Sequence, residues 1–280
     1  MAEVSIVVPA RDAAESIGRQ LGALAALRTR HAYEVVVADH GSTDRTRAVV
    51  NEFAERLPTL RVVDAAGAHA SGGVRNRAAD AAEGSFLAFC DADDVVDPGW
   101  LDELLAAAAG RDVLVRGAVQ MFGEFQRPAG PDGVIPRYLG FLPYADTCSL
   151  GIRADTYRRI GGFDDTLARS IDVEFSWRAQ LYGVALVDAP AAVVNKSFPT
   201  DTRTQAEKSY GWGQAQALLY RRYRDAGMPA RGTRKLFDDL RTVARAAVPA
   251  ARRRDPGVVT DAAWAAGRLT GSVRAHVWYP

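Results

Sequence analysis

The sequence FLAFCDADD, residues 86–94, decides the fold of this chain. It begins with five apolar residues, and an apolar run of that length bounded by polar residues is typical of a strand buried on both faces. Three acidic residues follow within the next four positions, where the strand ends. Open parallel sheets bind their ligands at the carboxyl ends of their strands, so we expect residues 91–94 to lie at a ligand site.

Similar apolar runs occur three times before this segment and alternate with segments of helical spacing. The predicted strands span residues 4–8, 34–38, 60–63 and 86–90. The predicted helices span residues 16–27, 42–57 with its cap residues, and 74–82 after a glycine-rich turn at 70–73. Alternating strands and helices form βαβ units with a parallel sheet. The predicted fold class is therefore α/β, with a mostly parallel, Rossmann-like sheet flanked by helices.

The remaining sequence predicts a second half of this domain and a helical extension. A helix at 98–109 and a strand at 113–121 precede a loop-rich span at 123–143, and further helices are predicted at 155–160 and 172–182. From residue 203 onward the composition is helical. We divide the chain into a domain at 1–202, with halves of about 1–97 and 98–202, and a C-terminal helical region at 203–280.

Charge is distributed unevenly along a chain whose formal net charge is +1. Residues 203–280 contain 15 Lys and Arg against 6 Asp and Glu, so the basic excess belongs to this region. The two cysteines are too few for a disulfide framework. Residues 1–4 lack the basic character of a signal peptide, and no apolar run is long enough to span a bilayer. These features predict a cytoplasmic protein.

The acidic residues Asp91, Asp93 and Asp94 have two interpretations. They are consistent with caps of the helix predicted from residue 98. Asp97 is expected to supply that cap, however, and carboxylates this close repel one another unless a cation offsets their charge. Carboxylate oxygens suit hard cations such as Mg²⁺ and Mn²⁺. The sequence therefore favours a divalent cation at this position, in contact with diphosphate oxygens.

Two other positions are candidates for contact with an anionic ligand. Asp39 ends the second predicted strand where a helix follows, and a helix N-terminus favours anions. Arg75 lies close to the glycine-rich turn, and its guanidinium can bind phosphate oxygens. Taken alone, such an Asp more often marks a helix start, and such an Arg is more often a solvated surface charge.

Together, the order and spacing of these motifs resemble family 2 glycosyltransferases of the GT-A fold. The resemblance covers roughly residues 4–194. It is carried by the strand at 4–9, the loop at 39–44, the segment 72–77 with Gly84, the acidic residues 91–94, the turn 161–164 and the helix 172–178.

The resemblance implies roles for individual residues and for the two halves of the domain. It implies a donor-binding half at 1–97 and an acceptor-binding half at 98–202. The metal ligands would be Asp93 and Asp91, and the general base would be Asp172. The implied donor-binding residues are Pro9, Ala10, Arg11, Asp39, His40, Arg75, Asp91 and Ala92.

The chain departs from the family pattern at two of these places. His40 stands where a second acid is usual, which leaves the nucleobase preference open. Ile171 stands where a Glu usually precedes the base, so the assignment of Asp172 depends on its offsets from Ser176 and Arg178 in the same helix. Glu174 is the alternative base.

The implied activity is that of an inverting, hexosyltransferase-type glycosyltransferase. It would move one sugar from a UDP, TDP or GDP sugar to an acceptor hydroxyl of unknown identity, with Mn²⁺ or Mg²⁺ as cofactor. The acceptor pocket would be built from the loops at 123–146 and the segment 147–149. The alternative is a catalytically degenerate relative that acts as a nucleotide-binding, sugar-binding or scaffold protein. A dinucleotide-binding oxidoreductase is excluded, because residues 9–14 lack the Gly-x-Gly-x-x-Gly motif after the first strand.

The basic C-terminal region also has two interpretations. Between residues 210 and 274, aromatic and apolar residues recur near helical spacing with arginines among them. They are consistent with helices packed on the catalytic domain with a solvated face. They are also consistent with peripheral contact at the inner, anionic face of a membrane. No nucleic-acid-binding motif accompanies them, so no nucleic-acid partner is expected.

Overall fold

A computed structural model describes residues 2–57, 59–121, 124–126, 135–197, 201–248 and 257–279. The chain divides into two compact units. Unit 1 comprises residues 1–137, 142–166 and 171–197, and unit 2 comprises residues 138–141, 167–170 and 198–280. Most of unit 2 thus consists of residues 198–280.

Unit 1 is built around one mixed β-sheet. Its strands are β1 (Val4–Ala10), β2 (Tyr33–Asp39), β3 (Leu60–Asp64), β4 (Phe86–Phe89), β5 (Val95–Val96), β6 (Val113–Met121), β7 (Glu124–Gln126), β8 (Leu150–Arg153) and β9 (Ala185–Asn195). Their order in the sheet is β3-β2-β1-β4-β8-β6-β9-β5, with β7 paired to β6. The predicted α/β class is confirmed, although β9 was not anticipated from the sequence.

Helices accompany the sheet and make up most of unit 2. Those of unit 1 are α1 (Ile17–Ala25), α2 (Thr46–Asn51), α3 (Ala70–Ala81), α4 (Trp100–Ala108), α5 (Ala154–Ile160) and α6 (Ile171–Leu181). Those described in unit 2 are α7 (Thr202–Tyr223), α8 (Thr233–Ala246) and α9 (Gly257–Arg274). Among the described helices, none is long and apolar enough to cross a membrane.

Most of the parallel pairing lies in the first half of unit 1, where the sequence alternates strand and helix, and β6 also pairs in parallel with β9. In the first half, β1 pairs in parallel with β2 and β4, and β2 pairs in parallel with β3. Strand β8 is antiparallel to both β4 and β6. A parallel neighbour requires a long crossover connection, and no α-helix separates β6 from β8 within the described residues. The sheet is therefore mixed beyond β4.

The core lies between this sheet and its helices. In α1, Ile17, Leu21 and Leu24 are fully buried, which is the stripe that their spacing predicted. In α4, Trp100 and Leu104 are fully buried in the same apolar cluster. Each such side chain stabilises the fold by about 1.5–3 kcal/mol relative to exposure.

Two local predictions were wrong. The glycine-rich segment predicted as a turn is the start of α3. Its glycines serve close packing: a Cβ on Gly72 would lie 2.9 Å from the Asp164 carbonyl oxygen. Asp97 does not cap the following helix with its side chain. Its Oδ1 accepts a hydrogen bond from Asn195 Nδ2 at 2.7 Å, and α4 begins after Gly99 without a side-chain cap.

Unit 2 has a glycine-lined contact between two of its helices. A Cβ on Gly213 of α7 would lie 2.2 Å from the Trp264 carbonyl oxygen of α9. A Cβ on Gly267 of α9 would lie 2.1 Å from the Tyr210 carbonyl oxygen of α7. Only glycine permits backbones to approach this closely.

Candidate active site

The carboxyl ends of β1, β2 and β4 lie at one edge of the sheet, where a cavity of about 460 Å³ opens. This volume suits a small-molecule ligand. Its lining residues are Pro9, Ala10, Arg11, Asp12, Ala13, Ser16, His40, Ala70, Ser71, Val74, Arg75, Asp91, Ala92 and Asp93. The structure thus brings together residues from the strand ends and from the first two turns of α3.

Nearly all of the residues predicted to bind the donor line this cavity. They are Pro9, Ala10, Arg11, His40, Arg75, Asp91 and Ala92, together with the predicted metal ligand Asp93. Asp39 is the exception. The sequence did not single out Asp12, Ser16 or Ser71, whose contributions depend on how the loops fold against one another.

Asp39 is buried and holds the loop that follows β2. Its Oδ2 accepts from Arg47 Nε at 2.5 Å, and its Oδ1 accepts from the Ser42 backbone N–H at 3.1 Å. Burial alone would raise the pKa of Asp39, but these bonds outweigh it and hold the pKa below its usual value. The carboxylate therefore shapes the loop that carries His40.

The loops after β1 and β2 are joined by hydrogen bonds. Asp12 Oδ1 accepts from the Thr43 N–H at 2.8 Å, and the Asp12 N–H donates to Ser42 Oγ at 3.0 Å. The Ala13 N–H donates to Thr46 Oγ1 at 2.7 Å. These reciprocal bonds set the positions of cavity-lining residues 11–13 before any ligand binds.

Arg75 places a buried cation on the cavity wall. Its side chain is only 6% exposed, its Nη1 donates to the Ser71 carbonyl oxygen at 3.1 Å, and its Nη2 pairs with Asp91 Oδ1. Its Nε has no hydrogen-bond partner in the part of the chain that the structure describes. A buried donor without a partner is costly unless a ligand supplies an acceptor. An anionic group in the cavity would supply one.

Lys196, which directly follows β9, was missed from the sequence. Its Nζ lies 3.6 Å from Asp91 Oδ2 and 3.6 Å from Asp94 Oδ2. Burial would lower the pKa of Lys196, but the neighbouring carboxylates of Asp91, Asp94 and Asp146 raise it. Lys196 is one of only three lysines in the chain and closely follows an apolar run that ends at Val194, and that rarity was the available signal.

Lys196 and Arg75 supply positive charge beside the acidic residues. Ligand atoms of Asp91, Asp94 and Cys148 lie within 4.8 Å of one another. The Lys196 ammonium already lies beside both carboxylates, and burial raises the pKa of the Cys148 thiol. Lys196 therefore offsets part of the negative charge of this trio. Asp93 is exposed and lines the cavity.

Asp172 lies in the first turn of α6, and its pKa responds to the charges of Lys196 and Arg75. Its Oδ1 accepts from the Val173 N–H at 2.9 Å. Burial, followed by the charge of Asp146, raises the pKa of Asp172 to about 6, while Lys196 and Arg75 act in the opposite direction. Electrostatic interactions fall off with distance. Asp172 therefore lies near Lys196 and Arg75, the two cations that pair with Asp91.

The alternative base, Glu174, is buried in an ion pair with Arg178. Its side chain is 1% exposed, and both of its carboxylate oxygens accept from Arg178 at 2.9 Å. Arg178 also donates to the Ile160 and Gly162 carbonyl oxygens, at 2.5 and 2.6 Å. The pair therefore ties α6, which carries Asp172, to the turn at residues 161–164.

The same turn also holds α3. Asn76 Nδ2 donates to the Phe163 carbonyl oxygen at 2.9 Å, and the Phe163 N–H donates to Asn76 Oδ1 at 2.9 Å. Gly162 has a φ of +64°, a conformation that favours glycine. The turn thus positions two helices that carry candidate site residues, Arg75 and Asp172.

The predicted acceptor loops are only partly described. Residues 122–123 and 127–134 lie outside the described residues. Asp146 and the buried segment Thr147–Ser149 are described, and Asp146 is close enough to raise the pKa of Asp172. Asp146 is a further site candidate that the sequence indicated only as the end of a loop.

Comparison with known proteins agrees with this architecture. The model of the family described as glycosyl transferase family 2 matches residues 5–147. The chain belongs to glycosyl transferase family 2. The predicted enzyme class, a glycosyltransferase, is thereby confirmed.

Two relatives illustrate the extent of the sequence similarity. Glycosyltransferase AglE of Haloferax volcanii is 28% identical over 230 residues, which cover 77% of this chain and 74% of AglE. The pre-mycofactocin glycosyltransferase of Mycobacterium tuberculosis is 26% identical over 81% of this chain. The match spans only 49% of the mycobacterial protein, about half of its length.

Solved structures confirm the GT-A type of fold. Residues 1–349 of S. aureus TarS in complex with UDP match 99% of this chain and 93% of that one, with a TM-score of 0.60 and 19% identity. The mannosyltransferase PcManGT from Pyrobaculum calidifontis, in complex with GDP-Man and Mn²⁺, matches 98% of this chain and 75% of that one, with a TM-score of 0.65 and 18% identity.

Proposed function

We propose that this glycosyltransferase moves one sugar, with inversion, from a nucleoside-diphosphate sugar to an acceptor hydroxyl. The observation that carries the proposal is the cavity in which Arg75, Asp91 and Asp93 meet the loops after β1 and β2. The buried Arg75 guanidinium offers its Nε to an anionic group such as a diphosphate. The bound ligands of TarS, UDP, and of PcManGT, GDP-Man, support UDP and GDP sugars as donors, and TDP sugars stay among the candidates.

The residues present fit a divalent cation through Asp93. Its exposed carboxylate lines the cavity, and Asp91 lies in the same wall with its carboxylate shared between Arg75 and Lys196. Asp93 would hold the cation, with Asp91 as the second candidate ligand. When bound, Mn²⁺ or Mg²⁺ would supply positive charge to the diphosphate leaving group. The Mn²⁺ bound to PcManGT supports this cofactor.

Asp172 would act as the general base. In an inverting transfer the acceptor oxygen forms a bond to the anomeric carbon while the bond to the diphosphate oxygen breaks, and the hydroxyl proton passes to the carboxylate. A base is most effective when its pKa lies near the working pH. The raised pKa of Asp172, about 6, meets that requirement.

Nucleotide titration tests the donor site. UDP, TDP and GDP are titrated calorimetrically into the metal-free protein and again with Mn²⁺. We expect one nucleotide to bind in a metal-dependent manner, and Asp93→Ala to weaken that binding at least about tenfold. Asp80→Ala, which removes an exposed carboxylate from α3, is the matched control. Absence of binding by every nucleotide would instead favour the degenerate binding-protein alternative.

A pair of variants two residues apart tests the base. Water can serve as acceptor, so hydrolysis of the sugar conjugates of the nucleotide that binds is the assay. Asp172→Asn is expected to abolish hydrolysis while nucleotide affinity stays unchanged. Glu174→Gln is expected to retain hydrolysis. It should lower the free energy of unfolding by about 1–3 kcal/mol, because it removes the negative charge that pairs with Arg178. The reverse outcome would make Glu174 the base.

A further inference from the structure

Helix α8 of unit 2 carries an exposed apolar row. Phe237 is 61% exposed, Leu240 is 46% exposed, and Val248, just beyond the helix, is 51% exposed. Ala244 is exposed between them. Spacings of three and four residues place these side chains on one face of a helix. In the part of the chain that the structure describes, this face remains open to solvent.

Ion pairs on the opposite side of α8 determine which face of the helix is exposed. Asp239 is buried, and its Oδ2 accepts from Arg268 Nε of α9 at 2.8 Å. Arg231 Nη2 also lies 3.3 Å from Asp239 Oδ2. Turning the helix to bury Phe237 would break these ion pairs and leave a buried charge without compensation, which is strongly unfavourable. The apolar row is therefore held outward.

A row of cations lies beside the apolar row. Arg234, Arg241 and Arg245 are all exposed on α8. Their spacings of seven and four residues align them along the helix next to Phe237 and Leu240. Unit 2 also exposes Trp278, at 64%, and tryptophan is enriched where proteins meet the surface of a bilayer.

We propose that this face of α8 docks onto the surface of a bilayer that contains anionic phospholipids. An apolar row flanked by arginines is the pattern of helices that lie in the plane of a membrane surface. Anionic headgroups complement the arginines, and the boundary of the acyl chains takes up Phe237 and Leu240. Nucleic acid would satisfy the arginines but would leave the apolar row exposed to water, so the bilayer fits both features. The surface is separate from the donor cavity and does not depend on the proposed reaction.

Vesicle co-sedimentation of the full chain tests the proposal. Vesicles of phosphatidylcholine alone are compared with vesicles that also contain phosphatidylglycerol, at low and high salt. We expect binding only to the anionic vesicles, and weaker binding at high salt because exposed charges are screened. The double variant Phe237→Ser/Leu240→Ser is expected to bind at least about tenfold more weakly. Its control is Leu181→Ser/Tyr182→Ser, which removes two exposed apolar side chains from unit 1 and should bind as the wild type does.

The charge contribution is tested separately. Arg241→Gln/Arg245→Gln should also weaken binding, whereas Arg28→Gln/Arg30→Gln, at exposed positions of unit 1, should not. Equal thermal unfolding and equal nucleotide binding by all variants establish that folding and the donor site are intact. The proposal is overturned if the wild type ignores anionic vesicles, if the α8 variants bind as well as the wild type, or if the controls lose as much binding. Binding to duplex DNA or RNA without binding to vesicles overturns it as well.

Discussion

Asp91 shares its carboxylate between two cations, and this pairing decides the electrostatics of the site. Burial would raise the pKa of Asp91, but Arg75 and Lys196 lower it below its usual value. The carboxylate is thus kept ionised at the cavity wall. Lys196 supports this arrangement, because its ammonium charge offsets the negative charge of both Asp91 and Asp94.

Replacing Lys196 should change the affinity of the nucleotide-free protein for metal. Lys196→Met removes the ammonium that offsets two carboxylates, so a divalent cation would then relieve their repulsion. We expect Mn²⁺ to bind about tenfold more tightly, as measured by titration of its electron paramagnetic resonance signal. Lys196→Arg should resemble the wild type, and Lys235→Met, at an exposed position of α8, should have no effect. Unchanged binding by Lys196→Met would contradict the role assigned to Lys196.

The titration of Asp172 should appear in the pH dependence of activity. A general base works only when deprotonated, and the pKa of Asp172 is raised to about 6 by burial and by Asp146. We expect kcat/KM for donor hydrolysis to rise with pH through about 6 and to level off above it. Removing the charge with Asp146→Asn should move this limb to lower pH. A rate that is flat between pH 5 and 8, a span of about three units around the expected pKa, would argue against Asp172 as the base.

Ionisation of Asp172 should also make the stability of the fold depend on pH. The pKa of Asp172 is raised in the folded state, so its protonated form favours folding and stability is lost as pH rises through about 6. Asp172→Asn cannot ionise and escapes this loss. We therefore expect the variant to be more stable than the wild type at pH 8, on the order of 1–3 kcal/mol, with the difference fading towards pH 4. Denaturant unfolding at the two pH values measures it, and a less stable variant at pH 8 would refute the prediction.

At the scale of elements, the turn at residues 161–164 connects α3, which carries Arg75, to α6, which carries Asp172. It binds α3 through Asn76 and α6 through Arg178. The resemblance marked this turn as a motif without assigning it a contact. The structure shows that the motif has a supporting role, since none of its residues lines the donor cavity.

The contact between α7 and α9 gives a prediction at the same scale. Gly213→Ala would place a methyl group 2.2 Å from the Trp264 carbonyl oxygen, so the helices must separate. We expect a loss of stability on the order of 1–3 kcal/mol, despite the higher helix propensity of alanine. Gly211→Ala is the matched control on the same helix, because its nearest neighbour is the flexible Arg169 side chain at 3.1 Å. Thermal unfolding compares the two, and equal melting temperatures would contradict the assigned packing.

At the scale of the whole molecule, the chain consists of two compact units, and the donor cavity and the proposed docking surface belong to different ones. Every residue that lines the donor cavity belongs to unit 1, whereas the exposed row of α8 belongs to unit 2. A ligand stabilises the segments that it contacts.

This division predicts a pattern of amide hydrogen exchange. Nucleotide with Mn²⁺ should slow exchange in the cavity-lining segments 11–16, 70–75 and 91–93, because binding opposes their local opening. Exchange in α8 should not change. Hydrogen exchange measured by mass spectrometry with and without nucleotide tests this, with Asp93→Ala as the control that should show no protection. Protection confined to unit 2 would place the ligand elsewhere.

The sequence by itself determined the fold class, the family and most of the residues that line the cavity. Strand and helix periodicity is a local property, and the ends of parallel strands meet at one edge, so Asp91 was placed at the cavity without a structure, and the family resemblance added Pro9 and His40. Pairing between residues distant in the chain is not a local property. Only the tertiary structure joined Lys196 to Asp91, assigned Asp97 to Asn195 instead of a helix cap, and turned the apolar row of α8 outward. Each depends on which charges folding brings within a few ångströms of one another, and no spacing along the chain encodes that distance.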